Sequence, residues 1–153
     1  MVEHRVLGVN VAGSVAYLAL LVGESDVEPE AVMIAGIADF SRAADIANTR
    51  DAIRQHLEAI RPSHLVILKS EPNADVSYER AGIETLLLLC AHDLGITGSA
   101  IPRATVRKNL GLPKKGKFAE QVNAVFPEPV KPHWKDRGPA ALAALAVLKE
   151  TPG

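Results

Sequence analysis

The chain has 153 residues, 48% of them hydrophobic and only 4% aromatic, with a formal net charge of −1 at pH 7. That length supports one core, so residues 1–153 are expected to form a single domain packed from Leu, Val, Ile and Ala. No run reaches the roughly 18 apolar residues that a membrane-spanning helix needs, which excludes that class.

The opening Met1-Val2-Glu3-His4-Arg5 lacks the apolar stretch of a signal peptide, and Cys90 is the lone cysteine. Both point to a cytoplasmic, reducing setting with no membrane partner. Cys90 lies within a leucine run and has no metal-ligand spacing with the five histidines, so a buried inert thiol is expected.

Residues 5–13 and 14–22 read as two buried strands joined by a tight turn at Gly13. An acidic segment with Glu24, Asp26, Glu28 and Glu30 reads as a solvated loop, and residues 31–37 as a third strand, completing an antiparallel meander. Residues 40–48 read as a linker. Ile53, Leu57 and Ile60 form one stripe of a helix over 49–61, with Asn48 or Thr49 as cap and Pro62 beyond its end. Residues 64–69 read as a central buried strand.

A second helix is expected from about Val76 to Asp93, ending at Gly95, with its Leu86 to Cys90 run covered on both sides. Residues 96–101 read as a fifth strand, and 104–110 and 118–125 as short helices. The last helix is expected to start near Pro139 and, being only Ala, Leu and Val from 140 to 148, to lie in the core.

Charge is unevenly placed. Residues 1–99 hold seven Lys/Arg against fourteen Asp/Glu, a net of −7, whereas residues 100–153 hold ten against four, a net of +6. Such opposed fields can steer an anionic partner to one side or pair two copies as a homodimer. From Arg103 through Ala119 there is no acid, and Arg103, Arg107, Lys108, Lys114, Lys115 and Lys117 make a basic stretch suited to a DNA or RNA backbone. Gly111, Pro113 and Gly116 make the lysine segment a loop able to shape itself to that backbone, while the near absence of aromatics argues against recognition by stacking.

Several segments together resemble RuvC-like members of the RNase H-like nuclease superfamily. Arg61-Pro62-Ser63-His64-Leu65-Val66-Ile67 is similar to the approach to that family's fourth strand. Pro72-Asn73-Ala74-Asp75 is similar to the loop after it, Ile101-Pro102-Arg103-Ala104-Thr105-Val106-Arg107-Lys108 to its "PxTVKK" segment, and Lys115-Gly116-Lys117-Phe118-Ala119-Glu120-Gln121-Val122 to its basic loop and "KxQV" helix. The chain is also similar to a smaller RNase H-like bacterial family with a "V-x-x-x-G" start. The resemblance covers nearly the whole chain. It implies an α/β, RNase H-like fold: a five-stranded mixed sheet, three antiparallel strands then two parallel, with helices on both faces.

In that family acids on the first strand, at the end of the fourth strand and at the start of the last helix hold two divalent ions about 4 Å apart. Roughly three or four negative side chains must offset the repulsion between such ions. Here the matching positions read Asn10, Lys69 and Asp136-Arg137-Gly138-Pro139, so two acids are missing and the last-helix pair is at most half kept. Glu71, two residues past Lys69, and Asp136 are the acids left to complete a site around Asn10, with His133 as a possible helper. The expectation is therefore a catalytically inactive domain with no cofactor, binding nucleic acid or a nucleic-acid-associated partner. The alternative is a nuclease using Mg²⁺ or Mn²⁺ through the reduced set Asn10, Glu71 and Asp136.

Overall fold

Valine and leucine runs on either side of Gly13 fold as the expected hairpin. In the computed structural model, which describes residues 4–23, 26–28, 33–34, 40–70 and 77–150, β1 (Arg5–Ala12) and β2 (Val15–Val22) pair antiparallel from Arg5↔Val22 to Ala12↔Val15. Gly13 adopts φ 62° at the turn, a left-handed conformation that glycine enters without steric cost.

Two short strands lie end to end along one edge of β2. β3 (Asp26–Glu28) pairs with Leu20 to Val22, and β4 (Met33–Ile34) pairs with Ala16 and Tyr17. Together they fill one lateral position, so the sheet is five strands wide. Helix α1 (Ala43–Ile60) then leads to β5 (His64–Leu68), which runs parallel to β1 in the register Val6↔His64 to Val9↔Ile67. Helix α2 (Tyr78–Asp93) returns the chain to β6 (Thr97–Ile101), parallel to β5. Helices α3 (Arg103–Asn109), α4 (Phe118–Val125) and α5 (Trp134–Glu150) complete the described chain. The sheet order is β3-β2-β1-β5-β6, with β4 beside β2.

Alternate strand residues face opposite layers. Leu7, Val9, Leu18, Leu65 and Ile67 belong to the core under α1 and α2, and Val6, Ala19, Leu21, Val66 and Leu68 to the core under α5. Each fully buried Leu or Val contributes about 1.5–3 kcal/mol of transfer free energy. The alanines of α5 let the helix lie unusually close to β1. A Cβ on Gly8 would overlap the backbone carbonyl of Ala140.

Several expectations need correction. The acidic segment is not wholly a loop, because Asp26–Glu28 forms β3. The third strand expected over 31–37 is seen only as Met33–Ile34, the rest lying outside the described residues. The supposed linker is mostly helix, since α1 starts at Ala43, and Thr49 sits inside it, bonding back to the carbonyl of Asp45 at 2.8 Å rather than capping. Ser77 caps α2 by accepting from the Arg80 amide. The Leu86–Cys90 run is not covered all round, because Leu89 is 48% exposed. The last helix starts five residues before Pro139, a position interior to it.

Candidate functional site

The C-terminal end of β1 is where the fold gathers the residues singled out at the strand tips. Gly8 and Asn10 share the face of β1 that meets α5, and Ala140 and Asp136, four apart, share one face of the helix. The close approach at Gly8–Ala140 brings the next pair into register. Asn10, only 7% exposed, donates its Nδ2 to the backbone carbonyl of Asp136 at 3.0 Å. A carbonyl can only accept, so the bond needs the amide; a carboxylate in its place would face another oxygen. Asp136 lies in the first turn of α5, where the positive end of the helix dipole favours an anion. Tyr17, opposite Asn10 across the hairpin, has its ring 5.8 Å from that of His133 just before the helix.

The fourth-strand expectation requires correction. One step beyond the register Val9↔Ile67, the residue beside Asn10 is Leu68, not Lys69. Leu68 faces α5 with Val6 and Val66 and is fully buried. Lys69 is exposed and falls on the opposite phase of the strand. Its amide donates to the Ile101 carbonyl at 2.9 Å, and its own carbonyl accepts from Arg103 Nη1 at 2.7 Å. Glu71 lies outside the described residues.

Among the described residues Asp136 is thus the acidic residue whose backbone, through its carbonyl, meets Asn10. No group of three or more His, Cys, Asp or Glu among the described residues is placed to hold a metal ion. Among the described residues, an amide already engaged in a bond and a buried leucine stand where a pair of divalent ions would need charged oxygen ligands.

The basic stretch divides into two kinds of cation. Arg103 and Arg107, one helical turn apart on α3, both lie over the ring of buried Phe118, with Cζ 5.3 and 5.4 Å from its centroid. Arg107 also donates Nε to Gln121 Oε1 at 2.9 Å and Nη2 to the Gly116 carbonyl at 3.3 Å. These two arginines join α3 to α4. Lys108, Lys114, Lys115 and Lys117 are instead exposed, and none makes an ion pair among the described residues.

Two residues the sequence reading passed over prove structurally central. Gln121 is 7% exposed and donates Nε2 to the Pro113 carbonyl at 2.9 Å and the Lys115 carbonyl at 3.5 Å. Its signal was present: a polar amide on the same helical face as Phe118 and Val122. Arg137 is fully buried. Its Nε donates to the Leu18 carbonyl at 2.7 Å, in the interval between β3 and β4, and Nη1 donates to Val130 and Pro132 at 2.8 and 3.0 Å. Burial pulls its pKa below the ordinary arginine value. An isolated arginine at a helix start gave no sequence sign of this.

Cys90 is buried, as expected, and its Sγ lies 3.7 Å from the Arg50 carbonyl. Burial, then the nearby Asp93 charge, pushes the thiol pKa up. Among the described residues no helix is long and apolar enough to cross a membrane.

No family model matches the sequence, and no curated protein matches it either. Solved structures do. The chain is similar to Thermus thermophilus RuvC, at 15% identity and TM-score 0.67 over 95% of this chain and 93% of that one. It is also similar to T. thermophilus RuvC in complex with a Holliday junction substrate, at 14% identity and TM-score 0.68 over 96% of this chain and 94% of that one. With the mixed sheet and its helical layers, this full-length likeness identifies the fold as RuvC-like, within the RNase H-like class.

Proposed function

We propose that this RuvC-like domain binds the sugar–phosphate backbone of nucleic acid and has no two-metal hydrolytic activity. The observation that carries the second half is the Asn10–Asp136 bond, which uses the first-strand amide to hold the last helix. The first half is supported by the four exposed lysines, the +6 balance of residues 100–153, and the similarity to T. thermophilus RuvC in complex with a Holliday junction substrate. Lysine–phosphate contacts act through charge and release counterions, so binding weakens steeply with salt and shows little sequence preference.

Fluorescence anisotropy against DNA and RNA tests this reading. Micromolar or tighter binding that falls steeply between 50 and 200 mM salt is expected; absent or salt-independent binding refutes it.

A competing reading is a nuclease using Mg²⁺ or Mn²⁺ through Asn10, Glu71 and Asp136, favoured by the placement of Asp136 beside Asn10. Mn²⁺-dependent cleavage of branched DNA or an RNA–DNA hybrid, abolished by Asp136→Ala, would establish it. Pairing of two copies through the opposed charge fields is a separate reading, which light scattering at low and high salt decides.

A further inference from the structure

The loop between α3 and α4 carries Lys114, Lys115 and Lys117, and its glycines and proline gave every reason to expect an adaptable segment. Its hydrogen bonds are those of a fixed one. Three of its carbonyls are drawn inward by two side chains: Gln121 Nε2 takes those of Pro113 and Lys115, and Arg107 Nη2 takes that of Gly116. The two side chains are bonded to each other, and Arg107 is braced on the Phe118 ring. The Leu112 amide, donating to the Arg107 carbonyl at 2.8 Å, fixes where the loop begins.

Gln121 is more than nine-tenths buried, and its side-chain bonds go to Arg107 and to the carbonyls of this loop. With the carbonyls turned in, their negative ends point away from the surface and the three lysines project outward from a set backbone.

We infer that this loop is a preformed clamp for the phosphate backbone and that Gln121 is its positioning residue. The inference rests on the nucleic-acid reading and adds how the contact is made. Preorganisation lowers the ordering cost of binding, which otherwise falls on each long side chain and on the loop itself. Gln121 needs no contact with nucleic acid to do this. Its effect appears as lost affinity at unchanged net charge.

The test compares wild type with Gln121→Leu, which removes the donors and alters no charge, in anisotropy titrations against a duplex DNA over a salt series. The expected result is affinity about tenfold weaker with a shallower salt slope, by about one phosphate contact at roughly 0.9 per phosphate. Hydrogen exchange should show faster exchange across residues 111–117. Arg107→Lys keeps the charge but loses the fork that reaches both Gln121 and Gly116, and it should shift binding the same way should Gln121→Leu fail to fold. Wild-type binding with unchanged affinity and slope in the folded variants overturns the clamp alone. Wild type that does not bind DNA overturns the nucleic-acid reading and the clamp with it.

Discussion

Asn10 and Asp136, 126 positions apart, are joined by a 3.0 Å bond from a side-chain amide to a backbone carbonyl. The bond continues the contact begun at Gly8 and Ala140, so β1 and α5 meet along one line ending at the strand tips. At the strand tip this line ends in an amide whose Nδ2 donates to a backbone carbonyl.

Asn10→Asp is expected to destabilise the fold by about 1–3 kcal/mol at neutral pH, because a buried carboxylate then faces the Asp136 carbonyl. The loss should shrink as pH falls and the introduced acid becomes a donor. Urea melts at several pH values measure this, with and without Mg²⁺. Full recovery by Mg²⁺ would show that the strand tips accept a cation and would favour the nuclease reading.

Gly8→Ala places a methyl group where the Ala140 carbonyl lies, and that obstacle is backbone rather than a side chain that can turn away. Helix and strand must separate, at a cost of about 3 kcal/mol. Thermal unfolding should show the loss, with the Asn10 bond weakened alongside it.

Arg137→Met keeps the aliphatic stem but leaves the Leu18, Val130 and Pro132 carbonyls without this donor. About 3 kcal/mol or more of stability should go, read from denaturant midpoints. Arg137→Lys should not rescue it fully, because one ammonium cannot reproduce a planar fork serving several carbonyls.

His56, on α1, has its pKa lowered by burial. The unfolded chain therefore binds a proton more readily than the folded one, so this group's contribution is fully present above the unfolded value and declines as pH falls through it. Stability measured from pH 8 to 5 should decrease on the acid side, and His56→Gln should flatten that part of the profile. An unchanged slope in the variant would remove His56 as the cause.

Lys114→Ala, Lys115→Ala and Lys117→Ala combined should leave stability nearly unchanged, since all three side chains are exposed. The salt slope of nucleic-acid binding should drop by about 2–3, at roughly 0.9 per phosphate contact. A slope equal to that of wild type would place the binding surface elsewhere.

Local pattern made most of the architecture legible. The hairpin at Gly13, the short helix at 118–125 and the buried β5 follow from alternation, periodicity and turn residues, which are properties of neighbours in the chain. Helix ends were less legible. Trp134–Glu150 begins before Pro139, where the rule for proline at a first turn would start it, because tertiary packing of Arg137 and Gly138 fixes the helix earlier.

The residues themselves determined that the first strand ends in an amide and that cations dominate the last third of the chain. Only the folded molecule decided what those residues do. Parallel register put Leu68, not Lys69, beside Asn10, because a shift of one residue moves a strand side chain to the other face of the sheet. It also committed Arg103 and Arg107 to Phe118 and left the lysines outward, since hydrogen-bond and ring partners far apart in sequence meet only when the layers close.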